Sequence, residues 1–344
     1  MTIRSGQKIK LSTIADGLGV STATVSLALR DSPLIAEDTR NRVKQRAQAL
    51  GYIYNRRAAS LRTSRTGIIG VMVHDIMNPF FAEILRAIEI ELDRTGHTFI
   101  LGNHYDQPEK QRRFIETLLQ LGADGVIMSP AIHTQQADIK LAENNGLPVV
   151  FIARRVKDFL QTPVFRGDDA HGIALATQHL IALGHRRIAM VGGTDSTSTG
   201  RDRYCGYEQA MRQAGLEVKP EWRLPEPRSR QGGFDIAPQF LALVDKPTAA
   251  VCYNDLAAIG LMNGIARAGY IPGKDISVTG YDDLEEAAIA MPALTTVWNG
   301  QREVGRRAAR ALLDMLNNLP VPHEQELIKP ELRIRLSTAA PKER

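Results

Sequence analysis

Cysteine is nearly missing from this sequence: two in 344 residues, Cys205 and Cys252, in unrelated contexts and with no CxxC spacing. A disulfide framework and a cysteine-ligated zinc site are therefore not expected, whereas a reducing, cytoplasmic setting is. Aromatic residues are also scarce, at 6%. No apolar run approaches the length of a membrane span, and the opening stretch Met1–Lys8 lacks the apolar segment of a secretion signal. No membrane partner is expected. Catalytic signatures are missing too: no GxGxxG after a strand, no phosphate loop, no HExxH and no GxSxG. Gly192-Gly193-Thr194-Asp195-Ser196 is glycine-rich but carries no phosphate-loop lysine, and His74, His97, His104 and His133 fall at no ligand spacing. Neither enzyme chemistry nor a cofactor nor a metal is expected.

What is present is ordinary globular material, 43% apolar and 24% charged, in a chain long enough for two or three domains. The charge is unevenly spread. Residues 1–65 hold 12 Lys and Arg against 4 Asp and Glu, a net of +8, while the remainder holds 31 against 34, a net of −3. A basic head on a slightly acidic body points to a polyanionic partner for the head.

That head reads as four short helices. Leu11, Ile14, Ala15 and Leu18 share one helical face, and Gly17-Leu18-Gly19-Val20 breaks it. Ser21 can cap a second helix with Val25, Ala28 and Leu29 inward. A third, from about Ala36 to Leu50, begins with Glu37 and Asp38 and stops at Gly51. Arg56–Arg62 is a fourth, basic and short, and Thr63–Gly67 is a linker. Close packing at Ala15, a sharp turn at Gly19 and the small core at Val25 describe a helix-turn-helix. Thr22, Ala23, Ser26 and Leu27 on the exposed face of its second helix are short enough to approach base edges in a major groove.

From Ile68 the pattern alternates between strand and helix. Strands are expected at Ile68–Val73, His97–Leu101, Gly125–Met128, Val149–Ile152, Arg187–Val191, Ala249–Tyr253 and Ile276–Gly280. Helices are expected at Pro79–Arg94, Pro108–Leu121, Gln135–Asn144, His171–Leu183, Arg201–Ala214, Phe234–Leu243 and Leu256–Ala268. Such alternation specifies parallel sheets covered by helices, and two runs of it imply two Rossmann-like α/β lobes. Ligands in this architecture sit at the carboxyl ends of strands.

Many of these stretches together resemble the lactose/galactose-repressor (LacI/GalR) family. In the head the likeness lies in Thr13-Ile14-Ala15, Gly19-Val20-Ser21, Thr24-Val25-Ser26, Thr39-Arg40, Gly51-Tyr52-Ile53 with Asn55, and Ala58 with Leu61. In the body it lies in Ile69-Gly70-Val71, Asn78-Pro79-Phe80-Phe81, Gly184–Ala189, Arg203 before Gly206-Tyr207, Asn254-Asp255, Gly280–Asp283 and Leu294–Val297. Val150–Arg154, Arg201–Arg203 and Val251–Asn254 are similar to the maltose-regulon repressor branch.

The resemblance implies a multi-domain fold. An all-α helix-turn-helix headpiece would span 1–55, a hinge helix and linker 56–66, and a two-lobed periplasmic-binding-protein-like effector domain 67–336, with a tail at 337–344. The N-lobe would take about 67–165 and 299–325, and the C-lobe about 166–298 and 326–336. It also implies a homodimer on double-stranded operator DNA and a small-molecule effector in the cleft. Residue by residue, Thr22, Ala23 and Ser26 match base-reading positions, and Ser21, Thr24, Thr39 and Asn55 match phosphate-positioning ones. Leu61 matches a leucine wedged into the central base step, with Ala58 beside it and Arg62 as a minor-groove contact. Leu27 departs from the polar base-reading residue of many members, and Tyr54 from a proline.

In the effector cleft the matched positions are Phe80, Phe81, Arg203, Asn254 and Asp282. An arginine, an amide and a carboxylate suit a polyhydroxylated or heterocyclic ligand, with phenylalanines to stack on it. Phe81 also lies on the apolar face of its helix, which suits a core role equally. Ala153, beside Arg154, replaces an aspartate of sugar-binding members, and Arg228 falls near an aromatic lid position. With Arg155 and Arg166 these arginines leave an anionic effector open beside a neutral carbohydrate. A transcriptional regulator, a repressor, is the reading that joins head and body. A transport solute-binding protein and a two-lobed enzyme share the body alone.

Overall fold

The computed structural model describes residues 9–53, 65–157, 159, 161–225, 228–321 and 325–342. The chain divides into two compact units, residues 1–66 and 67–344.

In the first unit three helices are described: α1 (Leu11–Leu18), α2 (Thr22–Ala28) and α3 (Glu37–Ala49). Gly19 ends α1 in the left-handed region, at φ 66°, where a side chain would be strained. Ser21 is extended, and its Oγ accepts the Thr24 N–H at 3.0 Å, starting α2 one short turn later. Ile14, Ala15, Val25, Ala28, Val43 and Ala47 form the buried centre. Asn55, Ala58, Leu61 and Arg62, with the rest of the expected hinge, lie outside the described residues.

The second unit begins with β1 (Ile68–Val73), α4 (Pro79–Asp93), β2 (Thr98–Asn103), α5 (Pro108–Leu121), β3 (Gly125–Met128), α6 (Gln136–Asn144), β4 (Val149–Ile152) and β5 (Val164–Gly167). It continues through α7 (Asp169–Ala182), β6 (Ile188–Val191), α8 (Ser198–Gln213), β7 (Arg223–Leu224), α9 (Arg230–Asp235), α10 (Ala237–Leu241), β8 (Ala249–Cys252), α11 (Asp255–Arg267), β9 (Ser277–Thr279) and α12 (Glu285–Ile289). It ends with β10 (Thr296–Trp298), α13 (Gln301–Leu316), β11 (Gln325–Ile328) and β12 (Glu331–Arg333).

Among the described residues the N-lobe sheet has the order β11-β5-β4-β3-β1-β2, and the C-lobe sheet has the order β7-β6-β8-β9, both parallel. Strands buried on both faces need helices on both sides. In the N-lobe, Ile84 and Ile88 of α4 and Val304, Ala308 and Leu312 of α13 cover one face, and Ile115, Leu118, Ile139 and Ala142 the other. In the C-lobe, Ile173, Leu180, Tyr207, Met211, Leu261 and Ile265 pack around β6 and β8. The chain passes between lobes after Gly167, after Trp298 and after Ile328, since β10 pairs with β12 beside the C-lobe while β5 and β11 pair within the N-lobe.

Several details differ from the expectation, which included neither β5 nor α13. The strand pairing carries the N-lobe through Gly167 and takes in Gln325–Ile328, beyond the boundaries at 165 and 325. The helix expected over Phe234–Leu243 is two short ones meeting at Ile236, because Pro238 has no N–H to continue the ladder. Residues 337–339, expected as a tail, are built into the C-lobe. Ser337 is fully buried, its carbonyl accepts the Val278 N–H at 2.8 Å, and its Oγ donates to the Val278 carbonyl at 2.6 Å.

Candidate functional site

The headpiece presents α2. Val25 and Ala28 are buried, which turns Thr22 and Ala23 fully outward and leaves Ser26 and Leu27 half-buried on the flanks. Ser21 is exposed, and its Oγ lies 2.9 Å from Thr24 Oγ1. Thr39 is half-buried in the first turn of α3. Two described arginines of this unit bond to backbone carbonyls. Arg40 Nη1 donates to the carbonyls of Ser32 and Ile35 at 3.2 and 2.7 Å, and Arg30 Nε to Ser26 at 3.1 Å. Lys44 pairs with Asp31.

A cavity of about 380 Å³ lies between the lobes, lined by Phe80, Phe81, Arg154, Arg203, Arg228, Asn254 and Asp282 among others. All seven effector-site residues expected from the sequence therefore meet at one place. All but Arg203, which lies in the second turn of α8, stand after a strand or at a helix start. Asn78 caps α4 by accepting the Phe80 N–H at 3.0 Å, with Pro79 at its first position, so Phe80 enters the cleft on the opening turn. Phe81 is 1% exposed and packs in the N-lobe core, edge-on to Phe80 and His74 with ring centroids 5.0 and 4.7 Å away. Its role is that of a wall. Asn254 caps α11, accepting the Ala257 N–H at 2.9 Å and donating to the Arg228 carbonyl at 3.1 Å. Its amide is largely occupied.

Arg203, 5% exposed, is the centre of the C-lobe wall. Its Nε donates to Asp169 Oδ1 at 2.8 Å and its Nη1 to the Tyr253 carbonyl at 2.5 Å, and Nη2 stands 3.7 Å from Asp282 Oδ1. The guanidinium is sandwiched by Tyr253 and Tyr281, 4.5 and 3.9 Å from their ring centroids. Burial would lower its pKa, but Asp169 and Asp282 outweigh burial and raise it, so the group stays charged. Burial lifts the Asp282 carboxyl to about 7, with the Asp169 charge adding to the rise and Arg203 and the Asn299 amide opposing it. Asn299 Nδ2 donates to Asp282 at 3.2 Å.

The other arginines are also matched. Arg166 Nη2 lies 2.6 Å from both Asp169 and Asp202, and Arg155 donates to Asp202 at 2.8 and 3.1 Å. Arg154 and Arg228 both engage Asp106. The arginine excess that kept an anionic effector open is thus not free charge. The sequence reading missed Asp106, Asp169, His74 and Asn299. His74 Nδ1 and Asn299 Oδ1 are buried at the cavity wall without a hydrogen-bond partner. Burial, then the Arg154 charge, pushes the His74 pKa well down and keeps the ring neutral. Asp106 was discoverable: like Asn254 and Asp282 it closely follows a strand carboxyl end, that of β2.

No helix among the described residues is long and apolar enough to cross a membrane. The family described as "Periplasmic binding proteins and sugar binding domain of LacI family" matches residues 66–336, and "Bacterial regulatory proteins, lacI family" matches residues 10–55. The HTH-type transcriptional repressor PurR of Pasteurella multocida is 32% identical over 324 residues, covering 94% of this chain and 97% of that protein. The repressor CytR of Escherichia coli is 30% identical over 321 residues, covering 93% and 94%. A lac repressor dimer bound to operator and the anti-inducer ONPF has a TM-score of 0.85 at 27% identity, covering 97% of this chain and all of that one. A complex of the regulator CelR with cellobiose has a TM-score of 0.72 at 26% identity, covering 96% and 99%. With a helix-turn-helix in front of a two-lobed body whose cleft gathers buried polar groups, the chain belongs to the LacI family of bacterial regulatory proteins and is a DNA-binding, effector-responsive transcriptional regulator rather than an enzyme.

Proposed function

We propose that this chain is a cytoplasmic repressor that binds a pseudopalindromic operator as a homodimer and takes a small-molecule effector in the inter-lobe cleft. Residues 1–55 act as the DNA-binding headpiece, 56–66 as hinge and linker, and the body as sensor and dimerisation unit. Thr22, Ala23 and Ser26 face bases, and Leu27 offers an apolar surface to a thymine methyl. Ser21, Thr24, Thr39 and Asn55 position phosphates, and Ala58, Leu61 and Arg62 enter the minor groove. The outward Thr22 and Ala23 on a unit of net charge +8 support this reading.

The observation that carries the effector site is the convergence of Arg203, Asp282, His74 and Asn299 on one cavity, two of them with unpaired buried polar atoms. A ligand there gains donors from Arg203, an acceptor or a donor from Asp282 according to its protonation, and stacking from Phe80. A thermal-shift screen of sugars, sugar acids, phosphates and purines identifies the ligand. Operator affinity is then measured with and without it in the wild type and in Arg203→Lys, which keeps a cation between Asp169 and Asp282 but loses the forked donors. The variant should need roughly 30-fold more ligand, the equivalent of about 2 kcal/mol. A response at the unchanged concentration would place the effector elsewhere.

A further inference from the structure

At one edge of the cleft two guanidinium groups close on a single carboxylate. Arg154, 4% exposed and just past β4, donates through Nη1 to Asp106 Oδ1 and to the Pro130 carbonyl at 3.2 Å, and through Nη2 to Asp106 Oδ2 at 3.3 Å. Arg228, from the C-lobe segment before α9, reaches the same Oδ2 at 3.3 Å. The carboxylate is held from behind as well. Tyr105 and Asp106 both adopt left-handed backbone, at φ 51° and 58°, a costly pairing for two residues with side chains. The Asp106 N–H donates to His104 Nδ1 at 3.0 Å, and His104 Nε2 lies 2.8 Å from the Ser129 carbonyl. The Ile132 N–H approaches Asp106 Oδ1 at 3.4 Å.

A bidentate guanidinium backed by a second one is the arrangement with which proteins grip a free carboxylate or phosphate. Here the chain supplies the anion itself. We propose that Asp106 is a specificity-determining residue: an internal counter-anion that fills the two-arginine receptor, so that the cleft takes an uncharged effector recognised by hydroxyl or amide groups and refuses one bearing a carboxylate or phosphate. This rests on the cleft being the effector site. The rest of the wall agrees. Arg203 is committed to Asp169 and Tyr253, and Arg155 and Arg166 to Asp202. His74 is held neutral, so it adds no cation for an entering anion. To reach Arg154 it would have to displace Asp106, leaving two like charges side by side in a desolvated corner. The Arg154 hydrogen bonds and charge overcome the upward push of burial and hold Asp106 well below the usual carboxylate range, so it does not yield by taking a proton near neutral pH.

The test uses the full chain, with inorganic phosphate as probe against chloride at equal ionic strength and pH 7. Thermal unfolding is followed for the wild type, Asp106→Asn, Asp106→Ala and the double variant Asp106→Asn with Arg228→Ala. Phosphate held by the basic headpiece stabilises all four alike, so the differences between them are the readout. The wild type should show only that common shift. The single variants, left with unneutralised arginines, should gain roughly 3 °C or more beyond it, and the double variant should lose most of that gain. Asp106→Asn preserves side-chain size and serves if Asp106→Ala does not fold. A wild type stabilised as much as the single variants, or single variants indifferent to phosphate, overturns the proposal. Phosphate rescue combined with an operator affinity that no cleft ligand alters would overturn the effector reading while the exclusion of anions stands.

Discussion

Arginine serves opposite ends in the two units of this chain. In the headpiece, positive charge outnumbers negative threefold, and Arg30 and Arg40 bond to backbone carbonyls, which leaves their charge uncancelled. In the body, Arg154, Arg155, Arg166, Arg203 and Arg228 each meet a carboxylate. The first arrangement attracts a polyanion over distance and tolerates solvent. The second spends its charge internally and leaves geometry, not net charge, to select a ligand. The lesson is that counting basic residues predicts a partner only where their acids are not already beside them.

The largest expected effect separates the two units by salt. Raising monovalent salt from about 50 to 200 mM should weaken duplex binding by roughly 10³-fold, because phosphate contacts release counterions. Effector affinity should change less than about twofold over the same range, since the cleft's charges are paired and buried. Isothermal titration of both ligands on one preparation checks this, and a steep salt dependence of effector binding would erase the contrast.

Next in size is a pH effect confined to the body. Burial raises the Asp282 carboxyl from its ordinary 3.8 to about 7. Between those values the folded chain keeps a proton that the unfolded chain has lost. This group's contribution is therefore full below pH 3.8 and is lost as pH rises through about 7. Asp282→Asn removes the titration, so the variant should gain on the wild type between pH 5 and 8, by on the order of a few kcal/mol. Urea unfolding at several pH values measures the gap, and a constant gap would show that Asp282 titrates normally.

The smallest effect belongs to the headpiece. Ser21→Ala removes the cap of α2 and should cost about 1 kcal/mol. Six of the described residues make up the centre of that unit, so its unfolding transition should drop while the body's stays put. Calorimetry resolving both transitions decides the matter, and a shared shift would mean that the units unfold together.

Much of this was legible in the sequence because local patterns carried it. Gly19 and Ser21 announce the turn and cap of the helix-turn-helix by their own chemistry. Phe80, Asn254 and Asp282 are legible as cleft residues because strand carboxyl ends can be located from short apolar runs. What stayed hidden depends on partners distant in sequence. Asp106 meets Arg154 and Arg228 only after β2, β4 and the C-lobe have assembled, so its place after β2 marks it as a cleft residue but nothing near it marks its partners. Asp169 follows β5, a four-residue strand whose Val-Phe-Arg-Gly carries a buried arginine and so gives no apolar run. Ser337 looks like the start of a loose end until its pairing with Val278 is formed.

The crossings between lobes have a consequence for how the protein is made. The ribosome releases the headpiece first, and its three described helices draw on residues 11–49 alone. The N-lobe must wait: Val304, Ala308 and Leu312 of α13 cover the face that β1 opened more than two hundred residues earlier, and β11 closes the sheet edge later still. Through most of synthesis a folded DNA-reading module therefore trails an unfinished sensor with bare apolar strands. A message cut short before Gln301 yields a headpiece joined to a body that lacks α13 and β11, with one face of the N-lobe sheet left bare.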